Sequence, residues 1–146
     1  MQSRIEAADG HKAIQIEKTY GDLPKITCNP SQLNQVFLEI IKNGIDSLRE
    51  DTTQPAQPTI YIRTELIEEG ALRIEIANNG QPIPTEIQDR IFDPFFTTKA
   101  VGDGAGLGLF VSYSTIQRHG GALTVASRPE ADTEFEIVLP QLAAET

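Results

Sequence analysis

Alternation of apolar and polar residues is the feature that most constrains the fold of this chain. It runs through TIYIRTELI (59–67) and LRIEIAN (72–78), and a period of two residues is typical of strands that bury one face. The intervening Glu68-Glu69-Gly70 predicts that the two runs form an antiparallel hairpin. Similar runs predict three further strands, at 13–20, 122–127 and 134–140.

Helical patterns separate these strands. Asn29-Pro30 is typical of a helix start, and the apolar residues from Leu33 to Leu48 recur at helical spacing, which predicts an amphipathic helix over 30–49. We also expect a short helix at 84–91, a loop at 93–104, and a helix at 106–118 that ends at Gly120-Gly121. The order predicts an α+β fold: a two-layer α/β sandwich with one mixed, mostly antiparallel sheet and helices on one face.

Size and charge limit the classes of function. The 146 residues suffice for a single domain, 1–146, and the net charge of −9 argues against nucleic acid or an anionic membrane as a direct partner. The only cysteine, Cys28, excludes an internal disulfide. No apolar run approaches the roughly 20 residues of a membrane span, and no signal peptide is evident. We therefore expect a cytoplasmic location.

A glycine-rich segment is the main candidate for ligand binding. Gly102-Asp103-Gly104-Ala105-Gly106-Leu107-Gly108 has glycine at every second position, just before a predicted helix. Its backbone amides and the helix N-terminus could converge on an anion. The pattern differs from both the P-loop and the dinucleotide fingerprint. Lys99 could meet a terminal phosphate, although a flexible hinge and a solvated lysine are also compatible with the sequence.

A polar stripe runs along the helix predicted at 30–49. Glu39, Asn43 and Asp46 lie within roughly 60° of one another at 100° per residue. A carboxamide oxygen suits a hard cation such as Mg²⁺, and a carboxylate can orient or deprotonate a water or hydroxyl group. A solvated helix face is the alternative interpretation.

Four segments in this order resemble the ATP-binding catalytic domain of sensor histidine kinases, which shares a superfamily with DNA gyrase, Hsp90 and MutL. LNQVFLEIIKNGIDSL (33–48) resembles the N box, and IEIANNGQPIP (74–84) resembles the first glycine box. IFDPFFTTK (91–99) resembles the F box, and GDGAGLGLFVSYSTIQRHGGALTVAS (102–127) resembles the second glycine box with its helix. The resemblance covers about residues 13–140 and implies the Bergerat-type ATP-binding fold.

The resemblance implies roles by position. Asn43 matches the asparagine that binds Mg²⁺ at the phosphates, and Glu39 matches the position of a general base or of a residue that positions the acceptor. Lys99 and the glycine segment match the lid over the β- and γ-phosphates. Ile83 and Leu107 match residues that pack around adenine. The implied nucleotide-binding residues are Asn43, Asn78, Gly80, Ile83, Lys99, Gly102, Gly104, Gly106, Leu107, Gly108 and Thr133, and the implied cofactors are ATP and Mg²⁺.

Three departures from the family pattern concern the base end of the site. Asn78 stands where the family usually has Asp, Pro82 where it has Gly, and Asp132 where it has Gly before Thr133. Asn78 keeps one acceptor oxygen but loses the charge. Pro82 removes an amide donor and fixes φ. The phosphate end matches the family and the base end is altered, which favours a working ATP site of reduced affinity.

The acceptor histidine of such kinases lies outside the catalytic domain. Neither His11 nor His119 has the acceptor pattern, and His119 is predicted to cap a helix. We expect a monomeric catalytic domain, excised from a longer protein, that phosphorylates a separate dimerisation domain and so serves a response regulator indirectly. A nucleotide-binding interaction module and an anti-sigma-factor-type serine kinase remain alternatives.

Overall fold

The computed structural model describes residues 2–5, 14–20, 30–50, 57–67, 70–80, 82–94, 108–127 and 132–140. In chain order the strands are β1 Gln2–Ile5, β2 Ile14–Tyr20, β3 Thr59–Ile67, β4 Ala71–Asn78, β5 Ala122–Ala126 and β6 Thr133–Pro140. The helices are α1 Pro30–Glu50, α2 Thr85–Gln88 and α3 Gly108–Arg118. No helix within these ranges is long and apolar enough to cross a membrane.

The described strands form one sheet in the order β1-β2-β3-β4-β6-β5. The β2–β3 pair is parallel and the other pairs are antiparallel. A parallel pair needs a crossover connection, which contains α1. The predicted mixed, mostly antiparallel sheet is confirmed, as is the hairpin of β3 and β4. The register places Asn78 at the end of β4, opposite Ile60 on β3 and Thr133 on β6.

Alternate strand positions build the core between the sheet and the helices. The buried cluster combines apolar residues of α1 and α3 with those of every second position in the strands. Its fully buried members include Val36, Ile40, Ile60, Ile116 and Ile137. The intervening positions on β3, β4 and β6 carry arginine and glutamate. Burial of one face and charge on the other give the two-layer architecture.

The end of α3 shows why Gly120-Gly121 terminates the helix. Gly120 has a φ of 77°, a left-handed conformation that glycine adopts without strain. Its amide donates to the Gln117 carbonyl at 2.9 Å, and the Gly121 amide donates to the Ile116 carbonyl at 3.0 Å. These two bonds form a Schellman motif. His119 Nδ1 lies 2.8 Å from the Thr115 carbonyl oxygen, which confirms its predicted capping position.

The sequence patterns did not predict β1. This strand has four residues and pairs antiparallel with β2, so the run is too short to display an alternating pattern of its own. The short helix predicted at 84–91 is limited to Thr85–Gln88. Most of the loop predicted at 93–104 lies outside the described residues.

Candidate functional site

Helix α1 approaches the end of β4 at a buried glycine. A Cβ atom placed on Gly44 would lie 3.5 Å from Asn78 Nδ2 and 3.6 Å from Ile60 Cδ1. The helix backbone therefore passes directly over the Asn78 side chain, with room for no more than a methyl group between them. Asn78 is 4% exposed, so its side chain is buried where the helix meets the sheet.

The residues after Asn78 form a tight turn around its side chain. Asn78 Oδ1 accepts a hydrogen bond from the Gly80 amide at 2.9 Å, which is an Asx-type turn. A Cβ atom on Gly80 would lie 2.7 Å from Ser47 Oγ and 2.9 Å from Asn78 Oδ1, closer than side chains pack. A side chain here would displace Ser47 Oγ or Asn78 Oδ1. The carbonyl oxygen of Asn78 has a second lone pair that can accept a bond from a ligand.

Asn79 fixes the start of β3 to the end of β4. Its Oδ1 accepts from the Thr59 amide at 2.8 Å, and its Nδ2 donates to the Gln57 carbonyl at 3.0 Å. Its own amide donates to the Thr59 carbonyl at 3.3 Å. These bonds continue the pairing of the strands past Asn78, which leaves the Asn78 side chain on a rigid support.

A second polar network joins the segment after β4 to β5 and β6. The Ile83 amide donates to Ser127 Oγ at 2.9 Å, and Ser127 Oγ lies 2.7 Å from Thr133 Oγ1. Gln88 Nε2 donates both to the Ile83 carbonyl at 2.9 Å and to the Ser127 carbonyl at 2.8 Å. Two predicted base-site residues, Ile83 and Thr133, therefore belong to the same hydrogen-bonded cluster.

Nearer the N-terminus of α1, Glu39 reaches the start of α3. The Glu39 carboxylate lies against the Cα of Gly108, so that a Cβ atom there would overlap the carboxylate. Gly108 is the last residue of the predicted phosphate-binding segment. The carboxylate therefore lies where that segment meets a helix N-terminus, which is a favourable position for a negative charge. A side chain at Gly108 would displace Glu39.

Asn43 lies between Glu39 and Ser47 on α1. Its Nδ2 donates to the Glu39 carbonyl at 3.0 Å, so this bond uses a donor of the carboxamide and does not involve Oδ1. A neutral carboxamide oxygen fits Mg²⁺, which accepts one or two protein oxygens and keeps several waters. Glu39 and Ser47 are about two helical turns apart, or about 12 Å along the axis.

Several predicted site residues lie outside the described part of the chain. These are Lys99, Gly102, Gly104, Gly106 and Leu107. Asp132 is described and exposed, directly before the buried Thr133. The structure thus places Glu39 and Asn43 on α1, which also packs against Asn78 and Gly80. It joins Ile83 to Thr133 through Ser127.

Phe92 anchors the segment that precedes the predicted lid. Its ring stacks on Tyr113 of α3 with centroids 5.4 Å apart and meets Phe135 of β6 edge-on at 6.3 Å. Such pairs stabilise beyond simple burial. Pro94 is exposed, and Phe95 and Phe96 lie outside the described residues.

A separate charged cluster lies on the opposite face of the sheet. Carboxylate oxygens of Glu75, Glu134 and Glu136 lie within 4.8 Å of one another. Arg63 contacts Glu75 at 2.9 Å, and Arg73 Nε lies 3.2 Å from the same carboxylate. Burial and the neighbouring Glu75 raise the pKa of Glu134, and Glu75 raises the pKa of Arg63. The arginines partly neutralise the glutamates, so the cluster forms a mixed ion-pair network.

Five residues of the site were not selected from the sequence. They are Gly44, Ser47, Asn79, Gln88 and Ser127. Ser47 follows Asn43 at a spacing of four residues, so helical periodicity could have selected it. Gln88 and Ser127 meet across 39 residues of sequence, and a lone polar residue in each segment carries no signal that they pair.

Comparison with known proteins gives matches over most of the chain. Residues 28–143 match the family described as histidine kinase-, DNA gyrase B-, and HSP90-like ATPase. Sporulation kinase E of Bacillus subtilis (strain 168) is 35% identical over 119 residues, which are 82% of this chain and 15% of that protein. Sensor histidine kinase ZraS of Escherichia coli (strain K12) is 34% identical over 131 residues, 88% of this chain and 26% of ZraS. The chain thus spans about a quarter or less of these relatives.

Solved structures have the same fold. The mycobacterial sensor histidine kinase MprB superposes with a TM-score of 0.74 at 27% identity, over 88% of this chain and 83% of that chain. Full-length ShkA in complex with AMPPNP superposes with a TM-score of 0.72 at 26% identity, over 88% of this chain and 26% of that chain.

Proposed function

Because this chain belongs to the histidine kinase-, DNA gyrase B-, and HSP90-like ATPase family, we propose that it binds Mg-ATP and donates the γ-phosphoryl group to a histidine on a separate dimerisation and phosphoacceptor domain of a two-component sensor kinase. One observation carries the proposal. Along α1, Glu39 lies beside Gly108, and Gly44 and Ser47 lie against Asn78 and Gly80. This supports a site that takes the phosphates near Glu39 and the base near Asn78.

The base end recognises adenine through Asn78. Its carbonyl oxygen already accepts the Gly80 amide, and its second lone pair accepts the adenine amino group. Ile83 is half-buried against the apolar core and provides an apolar surface for the ring, and Leu107 has the same role in the proposal. Thr133 contributes its hydroxyl from the neighbouring strand.

At the phosphate end, the proposed residues neutralise or bind negative charge. Asn43 Oδ1 is the protein ligand for Mg²⁺, which neutralises phosphate charge when bound. Lys99 contacts the terminal phosphate, and the amides of Gly102, Gly104, Gly106 and Gly108 surround the β- and γ-phosphates. Lys99, Gly102, Gly104 and Gly106 lie outside the described residues. Their roles are proposed from the resemblance of their segment to the family pattern.

Glu39 orients the acceptor histidine in this proposal. In this proposal its carboxylate accepts a proton or a hydrogen bond from the acceptor imidazole and aligns the attacking nitrogen with the γ-phosphorus. Phosphoryl transfer depends mainly on positioning and charge stabilisation, so one oriented carboxylate, a metal ligand and a ring of donors suffice. The products are ADP and a phosphohistidine that a response regulator can use.

Asn78 and Pro82 also favour a second candidate, a module that binds ATP or ADP weakly and transfers nothing. The two functions differ in what happens when an acceptor domain is added. A catalytic domain forms phosphohistidine on that domain in the presence of Mg-ATP, and an interaction module forms none.

The proposal is tested by calorimetric titration of ATP and ADP, with and without Mg²⁺, into the unmodified chain and Asn43→Ala. We expect Mg²⁺-dependent binding that Asn43→Ala abolishes, because the variant removes the metal ligand. Assays with separately prepared acceptor domains of sensor kinases should then yield phosphohistidine. Normal Mg-ATP binding and transfer by Asn43→Ala would refute the metal site.

A further inference from the structure

The segment Pro82-Ile83-Pro84 depends on other parts of the chain for its position. Neither proline has an amide proton, so Ile83 carries the only backbone N–H group of these three residues. That N–H donates to Ser127 Oγ, and the Ile83 carbonyl accepts from Gln88 Nε2. Both polar backbone groups of Ile83 are therefore bound by side chains from other segments.

Gln88 connects this segment to the end of β5. Its Nε2 group donates two hydrogen bonds, to the Ile83 carbonyl at 2.9 Å and to the Ser127 carbonyl at 2.8 Å. A carboxamide nitrogen has two protons, so this donor is fully used. One half-buried side chain thus holds two backbone segments that are far apart in sequence.

Ser127 extends the connection to β6. It is 8% exposed and Thr133 is 2% exposed, so their 2.7 Å contact is shielded from water and hard to replace. Ser127 Oγ already accepts the Ile83 amide. When Ser127 donates its proton to Thr133, the Thr133 hydroxyl proton is left to donate to a ring nitrogen or to a water at the base.

We propose that Gln88 and Ser127 are positioning residues that fix Ile83 and Thr133 for recognition of the base, so that base selectivity depends on them and phosphate binding does not. This inference rests on the proposed function. In this proposal neither residue contacts the base. Gln88 acts through its hydrogen bond to Ile83, and Ser127 acts through its contacts with Ile83 and Thr133.

A purely structural role for the network makes a different prediction. If Ile83, Gln88, Ser127 and Thr133 only held the fold together, loss of their hydrogen bonds would lower the affinity for every nucleotide alike. It would also lower the unfolding temperature in proportion. A positioning role changes the affinity for one base relative to another while the sugar and phosphates stay the same.

The test compares Gln88→Met and Ser127→Ala with the unmodified chain. Gln88→Met keeps the size of the side chain and removes its donors. Gln117→Met is the matched control, because Gln117 is exposed and its Nε2 donates only to the Tyr113 hydroxyl among the bonds described for it. NMR titrations with Mg-ATP and Mg-UTP measure both affinities up to millimolar concentrations, and exchange of the Ile83 amide reports the hydrogen bond to Ser127 directly.

We expect Gln88→Met and Ser127→Ala to lower the affinity for ATP on the order of tenfold and to change the affinity for UTP by less than about twofold. Both variants should also accelerate exchange of the Ile83 amide. Gln117→Met should change none of these. Equal losses for ATP and UTP, or an ATP affinity within about twofold of the unmodified chain in both variants, overturn the inference and leave the proposed function intact. Failure of the unmodified chain to bind ATP overturns both.

Discussion

Asn78 presents chemistry that a carboxylate in its place would lack. A carboxamide has both an acceptor oxygen and a donor nitrogen, and a carboxylate only accepts. Adenine offers an amino group where guanine offers a carbonyl oxygen. A buried carboxamide can therefore bind either purine by presenting a different atom, although rotation of Asn78 would sacrifice its bond to the Gly80 amide.

Asn78→Asp should accordingly sharpen the selectivity of the site. We expect ATP to bind about fivefold more tightly, because the bond to the adenine amino group becomes charge-assisted, and GTP to bind more weakly. Calorimetry with both Mg-nucleotides measures the ratio. Asn34→Asp, at an exposed position on α1, controls for the added negative charge. An unchanged ratio of ATP to GTP affinity in Asn78→Asp would place the base elsewhere.

At the scale of elements, a glycine lies in close contact with a neighbouring element at each end of α3. A Cβ atom on Gly108 would overlap the Glu39 carboxylate, the far end of a flexible side chain. A Cβ atom on Gly121 would overlap the Val138 carbonyl oxygen, which belongs to the backbone of β6. The first conflict can be relieved by rotating a side chain, and the second requires a strand or a helix end to move.

We therefore expect Gly121→Ala to lower the free energy of unfolding by about 2–4 kcal/mol. Gly108→Ala should lower it by less than about 1 kcal/mol and should still impair phosphoryl transfer, because Glu39 is displaced. Urea unfolding and acceptor-domain phosphorylation measure the two effects. Equal destabilisation by both substitutions would contradict the assigned contacts.

The ring of Phe92 joins its own segment to α3 and β6, so its removal should destabilise the whole domain. We expect Phe92→Ala to destabilise by about 3 kcal/mol, since it removes contacts with both Tyr113 and Phe135. Phe92→Leu should lose less, because part of the volume remains. Tyr113→Phe keeps the stacked ring and removes only the hydroxyl that Gln117 contacts. Urea midpoints that do not follow this order would argue against the stack.

Elements with long repeating patterns were predictable from the sequence, and contacts between elements were not. β3 and α1 follow alternating and helical periods over many residues, so their bounds agree with the prediction within one residue. β1 has too few residues to show a period. At the site, Glu39 and Asn43 share a helix face that periodicity reveals. The cluster of Gln88 and Ser127 depends on how β4, β5 and β6 pair, which no local pattern encodes.

At the scale of the whole molecule, the sheet face opposite the helices carries the cluster of Glu75, Glu134 and Glu136. Burial and Glu75 raise the pKa of Glu134, Glu136 adds to the effect, and Arg63 opposes it. The folded state thus binds this proton more tightly than the unfolded chain does. Ionisation of Glu134 near neutral pH weakens the fold, and the penalty disappears as the pH falls through the raised pKa.

Glu134→Gln should therefore raise the unfolding temperature at pH 7, by at most about 3 °C because the group is only half-buried and solvent screens the repulsion. The gain should vanish as the pH falls below 4.5, the ordinary pKa of glutamate. Thermal unfolding from pH 7 to pH 4 measures the difference. Glu86→Gln, at an exposed position on α2, is the control. A gain that grew with acidity would reverse the assigned sign.

The pairing of Asn78 with Thr133 also bears on how the protein is made. At ordinary elongation rates the ribosome adds Thr133 several seconds after Asn78. Until β6 emerges, β4 has an unpaired edge, and such edges promote association between chains. The proposed base site is also incomplete during this interval, because Thr133 has not yet been added. Association between nascent chains should therefore be most favoured in the interval before β6 is made.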